Sequence, residues 1–349
     1  MNQLPLIDTQ FLQDFLAGLL KTPSPTGLAH QAIEFTEQAL QAFPQLKFTH
    51  THKGALLVTW PGVKSDSPRA LTAHLDTLGA MVKEIKSNGR LKLTKIGSYA
   101  WNTVEGEGCT VFASQGEKVR GCLLLTKASG HVYGKDVNEL KREDDTMEVR
   151  LDERTSSRQE TEALGILVGD YVTFDPRVEI TNGFVRSRHL DDKACAACLV
   201  AAIKGLSNAG MQLEQTTYFY FSNYEEVGHG ASSGIPADAI ELLTVDMAAV
   251  GEGQTSDEFN VTLCVKDSGG PYHHGFSQKL RRIAEAYDIR YKVDIYPYYG
   301  SDGEAYWRAG ADVAVALIGP GVDASHNYER THIDALLATT QWILAYLIT

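Results

Sequence analysis

Several features that mark other classes of protein are scarce in this sequence of 349 residues. It contains only five cysteines (Cys109, Cys122, Cys195, Cys198 and Cys264), and their spacing does not resemble a disulfide framework. No basic leader precedes the first apolar stretch, and no apolar run is long enough to cross a membrane. We therefore expect a cytoplasmic protein with reduced thiols and no membrane partner.

Positive charge is also scarce. The chain has 32 lysines and arginines against 44 acidic residues, which gives a net charge of −12. This balance disfavours binding to a phosphate backbone, so nucleic acid is not expected as a partner. The sequence also lacks a G-x-S-x-G nucleophile motif and a glycine-rich phosphate loop, which argues against serine hydrolase and nucleotide-binding chemistry.

The apolar segments that are present predict an α/β fold. A helical pattern follows Asp8 and ends at Pro23, and an alanine-rich helical segment follows Asp192. Short apolar runs typical of buried strands alternate with such helices, namely RALTAHLD, TTYFYFS, LLTVDMAAV and ADVAVALIG. We predict a mostly parallel central sheet flanked by helices.

The pattern of apolar and polar residues changes between about residues 79 and 177. Short runs of alternating apolar and polar residues are separated there by glycine, asparagine and charged turns. This pattern is typical of a small β-rich module. We therefore predict a discontinuous catalytic domain, residues 1–78 and 178–349, with a β-rich domain inserted at 79–177.

Acidic and imidazole side chains cluster at the ends of the predicted strands. The candidates are His74 with Asp76, Asp191 with Asp192, Glu225 with Glu226, Asp246, and the two histidines of SHNYERTH, His326 and His332. Strand ends are where open α/β sheets gather their sites. Two neighbouring divalent ions need about six ligand positions with one bridging carboxylate, and this set supplies them.

Each candidate also has a simpler explanation. His74 alone could be a buried core histidine, but Asp76 two residues later is placed to accept a hydrogen bond from its second ring nitrogen. Asp191 or Asp192 could cap the following helix, which still leaves one acid free. Burial or helix capping would account for either His326 or His332, so the residues alone leave that choice open.

Adjacent carboxylates at Glu225 and Glu226 repel each other unless a cation or a shared proton intervenes, which suggests one ligand and one general base. Other patterns carry less weight. The C-x-x-C of Cys195 and Cys198 is read as helix packing, and His273 with His274 is placed outside the metal site. Asp302 is a candidate contact at the edge of the site.

The sequence resembles family forty-two of the metallopeptidases, the glutamyl and deblocking aminopeptidases that build tetrahedral particles. The resemblance covers essentially the whole chain, and it rests on the motifs TAHLDTLGAMV, VGDYVTFDP, SRHLDDKAC, NYEEVGHGA, TVDMA, SDGEAYWRAG and SHNYERTHID.

The resemblance implies a complete set of roles. It implies His74 and Asp246 on one metal, Glu226 and His326 on the other, and Asp191 bridging both. It implies further that Glu225 is the general base and that Asp76 stands behind His74. These roles describe a dinuclear aminopeptidase of short peptides, with two divalent ions per subunit. Zinc is the expected metal, and cobalt and manganese share the same ligands.

The resemblance also implies a homo-oligomer, in which the inserted domain forms dimers and six dimers close into a dodecamer. Lys193 and the Asn-Tyr-Glu after His326 depart from the commonest family forms. AHLDTLGAMVK, LLLTKASGH and SRHLDDKA are most similar to a branch linked to the osmoprotectant N-acetylglutaminylglutamine amide, which implies a small glutamine-containing peptide amide as substrate. The alternatives are a metal-dependent deacylase of N-blocked or amidated peptides and a catalytically silent scaffold.

Overall fold

The computed structural model describes residues 3–115 and 117–349. In chain order the helices are α1 (Thr9–Lys21), α2 (His30–Leu40), α3 (Gly130–Tyr133), α4 (Asp136–Glu139), α5 (Arg158–Glu162), α6 (Leu190–Asn208), α7 (His274–Ala286), α8 (Asp302–Arg308) and α9 (Ile333–Ile348). Short 3₁₀ turns cover Trp101–Thr103, Glu225–Val227 and Gly230–Ser232. None of the helices in the described residues is both long and apolar enough to cross a membrane.

The strands are β1 (Lys47–His50), β2 (Leu56–Trp60), β3 (Lys64–His74), β4 (Gly79–Ile85), β5 (Leu91–Ile96), β6 (Gly108–Phe112), β7 (Lys118–Leu125), β8 (Met147–Leu151), β9 (Tyr171–Phe174), β10 (Glu179–Thr181), β11 (Phe184–Ser187), β12 (Gln215–Ser222), β13 (Glu241–Val245), β14 (Ala248–Ala249), β15 (Val261–Asp267), β16 (Gly270–Pro271), β17 (Tyr291–Ile295), β18 (Ala314–Val322) and β19 (Glu329–His332). The chain divides into two compact units, Met1–Asp76 with Arg177–Thr349, and Thr77–Pro176.

The larger unit is built on a ten-stranded sheet in the order β1-β2-β12-β3-β13-β18-β15-β16, with β14 beside β18 and β17 beside β15. Its centre, from β12 through β3 and β13 to β18, is parallel. Antiparallel pairs at β2/β12 and β15/β18 make the whole sheet mixed. The predicted α/β fold class with helices flanking a central sheet is confirmed.

Both faces of this sheet are buried. Along β3, Leu71 and Ala73 belong to a core with α1, α2, α6, α7 and α9, whereas Ala70 belongs to a second core that includes Tyr306 of α8. Successive side chains of a strand point to opposite faces, so a strand covered on both sides is apolar throughout. This is why RALTAH reads as a continuous buried run rather than as an alternating one.

A second, three-stranded sheet in the order β10-β11-β19 lies in the same unit. Strand β11 leads into α6 and β19 leads into α9, and Ser187 pairs with Glu329. This pairing joins two parts of the chain that are far apart in sequence. It therefore brings the segment before α6 next to the loop that follows β18.

The smaller unit is a closed barrel in the order β4-β5-β8-β7-β6-β9, in which β9 pairs back with β4. Its own core contains Val82, Leu93, Val111, Leu123 and Val149, all buried. The inward and outward alternation is regular along β7, where every second residue is buried. Closure leaves no free strand edge in such a sheet, and the small barrel interior is filled by side chains.

Candidate metal centre

Three of the predicted ligands, together with Glu225, lie at the ends of neighbouring parallel strands. His74 is the last residue of β3, Glu225 and Glu226 follow β12, and Asp246 follows β13. The register sets Ser222 at the end of β12 opposite His74. The carboxyl ends of parallel strands share one edge of a sheet, so these side chains converge there.

The small sheet supplies the other two positions. Asp191 lies in the first turn of α6, just after β11, and His326 lies in the loop between β18 and β19. His326 has a positive φ of 62°, a conformation that non-glycine residues adopt rarely and mostly in tight turns or functional sites. The turn directs the imidazole back over the edge of the central sheet.

Asp191 occupies the centre of the cluster. Its Oδ1 lies 3.0 Å from Nε2 of His74, and its Oδ2 lies 3.3 Å from Nε2 of His326. Glu226 Oε2 is 3.5 Å from Nε2 of His326, and Glu225 Oε2 is 3.6 Å from Nε2 of His74. Each oxygen of Asp191 therefore faces a different imidazole.

Within the described residues, two groups of three side chains have ligand atoms that lie within 4.8 Å of one another. One group is His74, Asp191 and Asp246, and the other is Asp191, Glu226 and His326. Imidazole nitrogen with carboxylate oxygen is the donor set that zinc and similar divalent ions use. Because the groups share Asp191, one carboxylate is positioned to bridge two ions.

The buried carboxylates of the cluster repel one another, and added positive charge would stabilise their ionised forms. Burial, together with the negative charge of Asp191, raises the pKa of Asp246 to about 7 and that of Glu226 well above its ordinary value. Burial also raises the pKa of Glu225 well above its ordinary value. For Asp191, burial opposes ionisation, but hydrogen bonds with His326 and His74 outweigh it and lower the pKa. Divalent cations would relieve this repulsion, so the residues present fit a two-ion centre.

Asp76 is fully buried beside His74, but its carboxylate has a different partner from the one expected. His74 Nδ1 lies 2.8 Å from the backbone carbonyl of Asp76 and 3.7 Å from the carboxylate Oδ1. The carboxylate instead accepts the backbone N–H groups of Glu225 and Glu226 at 3.2 and 3.3 Å, and the hydroxyl of Thr26 at 2.6 Å. The backbone carbonyl of Asp76 thus takes the place at His74 Nδ1 that was predicted for its carboxylate.

Glu329 is a site residue that the sequence did not single out. Its buried carboxylate accepts the backbone N–H groups of Asp191 at 3.1 Å and of His326 at 3.0 Å. Burial, with the negative charge of Asp191, raises its pKa to about 8. The available signal was its position three residues after His326 in SHNYERTH, at the start of β19.

The remaining candidates have structural partners. The His332 ring caps α9 by accepting the N–H of Asp334, and it packs edge-on against Phe184 with ring centroids 4.8 Å apart. Of the two histidines left open by the sequence, His326 is the one at the site. His273 caps α7, while Cys195 and Cys198 are buried within α6, as expected for packing residues. Within the described residues, none of these side chains belongs to either group of ligand atoms.

Asp302 was expected at the edge of the site, where it could meet a substrate. The structure instead buries it, with 1% of its surface exposed. Its Oδ2 accepts the hydroxyls of Thr72 and Ser222, each at 2.6 Å, and its Oδ1 accepts the N–H of Ala231 at 2.7 Å. A carboxylate with three such partners is not available to a substrate, so this expectation is wrong.

A cavity of about 370 Å³ opens over the cluster. Its walls include Asp191, Glu225, Glu226, Asp246 and His326, together with Met247, Tyr298, Tyr299, Ser301, Arg308 and Ser325. Tyr298 stands almost fully in solvent at the rim, with 97% of its surface exposed. The volume suits a small ligand such as the end of a peptide.

Comparison with known proteins adds an independent line of evidence. The sequence model of the M42 glutamyl aminopeptidase family matches residues 54–342. The chain is 47% identical over 334 residues to YhfE of Bacillus subtilis (strain 168), which is named as a proposed aminopeptidase; the match covers 95% of this chain and 96% of YhfE. The segment matched by the family model, residues 54–342, includes every residue of the candidate centre.

Solved structures share the fold at lower identity. The TET aminopeptidase of the marine sediment archaeon Thaumarchaeota archaeon SCGC AB-539-E09 superposes with a TM-score of 0.87 at 16% identity, covering 97% of this chain and 96% of that one. The TET1 peptidase of Pyrococcus horikoshii, described as assembling into a tetrahedron or a large octahedral shell, gives 0.84 at 21% identity over 97% and 99%. On the family match and the YhfE identity, the chain belongs to the M42 glutamyl aminopeptidase family.

Proposed function

We propose that this protein releases amino-terminal residues from short peptides at a centre for two divalent ions. Membership of the M42 family makes the chain a hydrolase, a metal-dependent aminopeptidase. The single observation that carries the two-ion assignment is the placement of Asp191, whose two oxygens face His74 and His326 separately. His74 and Asp246 would hold one ion and Glu226 and His326 the other, with Asp191 between them.

When bound, two such ions polarise the scissile carbonyl and lower the pKa of an attacking water. Glu225 lies in the cavity wall but outside both ligand groups, which leaves its carboxylate free to act as the general base. It would accept the proton of the attacking water and pass it to the leaving amine. Zinc fits these ligands, and cobalt and manganese share them.

The cavity wall is poorly suited to bind a substrate carboxylate. Four carboxylates lie in its wall around the cluster, namely Asp191, Glu225, Glu226 and Asp246. An enzyme that reads a substrate carboxylate needs a free cation there, and Arg308 of the cavity wall is already paired with Glu304. A carboxyl terminus is therefore a poor match for this wall, and the family match favours an aminopeptidase. The family evidence likewise does not favour the deacylase or the silent scaffold.

The β-barrel unit would serve in assembly. We propose residues 79–177 as a dimerisation domain and a homo-oligomer as the working form, supported by the assembly described for the TET1 relative. Light scattering of the full chain, and of a chain in which a short linker replaces the insert, tests this. We expect the shortened chain to be smaller than a dimer, and an unchanged oligomer would contradict the role.

The activity is tested with metal-stripped protein to which zinc, cobalt or manganese is returned. Amine release is measured on free-amino, N-acetylated and amidated di- and tripeptides, with glutamine-containing amides included. We expect metal-dependent release only from free-amino peptides. Cleavage of N-blocked peptides alone would favour the deacylase, and silence across the panel with metal bound would favour the scaffold.

The matched variants are Glu225→Gln and Glu226→Gln, which differ by one position in the same turn. Loss of a general base costs roughly 10² to 10⁴ in kcat, so we expect Glu225→Gln to lose that much while still binding two ions. Glu226→Gln should lose metal affinity instead. A Glu225→Gln enzyme that turns over at the wild-type rate would remove Glu225 from the proposed role.

A further inference from the structure

Residues 224–232 form the turn that carries Glu225 and Glu226, and backbone hydrogen bonds within it join Gly228 to Glu225 and Ser232 to His229. It begins at Tyr224, which has a positive φ of 73°, and it folds back so that the Tyr224 carbonyl accepts the N–H groups of His229 and Gly230, both at 2.9 Å. Val227, Gly228 and His229 are exposed. A short, partly solvated turn does not fix two buried carboxylates by itself, so its external contacts matter.

The Asp76 carboxylate already accepts the N–H groups of Glu225 and Glu226. A second external contact is made by Lys53, between β1 and β2. Its ammonium donates to the carbonyl of His229 at 2.7 Å, to the carbonyl of Gly230, and to the hydroxyl of Ser232 at 2.9 Å. These three acceptors use all three ammonium protons. Burial lowers the pKa of Lys53, and the negative charges of Asp302 and Asp76 oppose that shift.

A further contact is made by Asp302, at the start of α8. Its carboxylate accepts the N–H of Ala231 and the hydroxyls of Thr72 on β3 and Ser222 on β12. It thereby ties the turn to the two strands whose ends present His74 and Glu225. Hydrogen bonds to an ionised carboxylate are among the stronger ones in proteins.

Gly230 lies between Asp302 and the base. A Cβ at this position would stand 1.7 Å from Oδ1 of Asp302 and 3.3 Å from the Cα of Glu225. No side chain fits there, so only glycine allows the carboxylate to approach the backbone of the catalytic turn this closely. Contact between Asp302 and the turn is therefore close, and it is specific to this residue.

We infer that Lys53 and Asp302 are positioning residues. The ammonium of Lys53 donates hydrogen bonds to the 224–232 turn, and the carboxylate of Asp302 accepts one from it. Together they hold Glu225 facing the cavity and Glu226 facing His326. Neither Lys53 nor Asp302 lines the cavity over the metal centre. The expected effect on kcat rests on the proposed function. The expected effect on metal binding rests on the geometry alone. Residues that orient metal ligands typically change affinity or activity 10- to 100-fold when replaced.

The test compares Lys53→Met, Asp302→Asn and Gly230→Ala with the wild-type full chain. We expect kcat to fall about 10- to 100-fold in each, with KM within about two-fold, because the base is misplaced while the cavity remains. Lys53→Arg, which retains the charge and several donors, should recover part of kcat. Calorimetric titration of the metal-stripped proteins with Co²⁺ should show weakened binding of one of two ions.

Asp294→Asn is the matched control for Asp302→Asn. Asp294 is also buried and accepts the N–H groups of Thr255 and Ser256 and the Ser256 hydroxyl at 2.7 to 2.9 Å, but it has no contact with the turn. We expect it to lower the melting temperature without changing kcat or Co²⁺ binding. Lys204→Met, which removes a surface pair with Asp8, is the control for Lys53.

Two outcomes would overturn the inference. The first is wild-type kcat and Co²⁺ affinity in the three variants, and the second is a loss of melting temperature alone, as in the controls. If the wild-type protein cleaves no peptide, the proposed function fails, and the Co²⁺ titrations still decide whether Lys53 and Asp302 position the ligand turn.

Discussion

Glu329 shows how a single side chain can set two ligands at once. Its carboxylate accepts N–H groups from Asp191 and His326, which come from separate segments of the chain. Glu329→Gln retains the size of the side chain, but its NH₂ group meets an N–H donor where an oxygen accepted before. We expect metal affinity to fall about 10- to 100-fold, as measured by titration of the stripped protein with Zn²⁺ or Co²⁺.

Glu258→Gln is the control for this variant. Glu258 pairs with Arg330, the residue next to Glu329, but it makes that contact at a partly exposed position. Surface pairs of this kind contribute about 0 to 1 kcal/mol, so the control should bind metal normally. Equal affinity in the wild-type and Glu329→Gln proteins would show that the backbone fixes Asp191 and His326 without help.

For single residues, the sequence predicts which side chains belong to the site better than it predicts their contacts. Acidic and imidazole side chains at the ends of apolar runs stand out because burying a polar group is costly unless it is paired. The residues identified in this way are His74, Asp191, Glu225, Glu226 and Asp246. The choice between His326 and His332 depends on the β11–β19 pairing, which joins distant segments. The carboxylate of Asp76 accepts hydrogen bonds from Thr26, Glu225 and Glu226, which also lie far from it in the sequence, so neither fact is encoded in local spacing.

At the scale of elements, periodicity predicts the parts and not their order. The continuous buried run in β3 follows from burial of the strand on both faces. The alternation of buried and more exposed residues in β7 follows from burial on one face. The neighbours of β3 are β12 and β13, which follow it by more than 100 residues. Likewise, alternation predicts a β-rich insert but not the β4–β9 pairing that closes it.

Because the barrel has its own core, a defect in that core should leave the metal centre intact. Leu123 on β7 is fully buried within it. Leu123→Ala is expected to lower the free energy of unfolding of the barrel by about 2 to 5 kcal/mol, through lost burial and the cavity that remains. Denaturant melts would measure the loss, and Co²⁺ titration of the folded protein should give wild-type affinity.

Lys83→Ala on β4 is the corresponding surface change, since Lys83 is exposed. Substitutions at such positions usually change stability by less than about 0.5 kcal/mol. If Leu123→Ala also weakened Co²⁺ binding in the folded protein, the barrel core and the metal centre would not be independent.

At the scale of the whole molecule, the chain concentrates negative charge at one place. The net charge of −12 opposes compaction in general, and the metal centre brings several buried carboxylates together. Metal-free protein can fold around this cluster if some of the carboxyls take up protons. Stability without metal should therefore depend on pH differently from stability with metal.

Two buried carboxyl groups determine whether the stability of the metal-free protein rises or falls with pH. The pKa of Asp246 is about 7 and that of Glu329 about 8 in the folded protein, against about 4 for such groups in an unfolded chain. A group with a raised folded pKa stabilises the fold fully below its unfolded pKa, and this contribution is lost as pH rises through the folded value.

The melting temperature of chelator-treated protein should fall between pH 5.5 and 8. Saturating Zn²⁺ should reverse this trend, because the ions bind the ionised carboxylates and add about 2.7 kcal/mol when free metal is 100 times Kd. Asp246→Asn should flatten the metal-free slope, and a metal-free protein more stable at pH 8 than at pH 5.5 would contradict the argument.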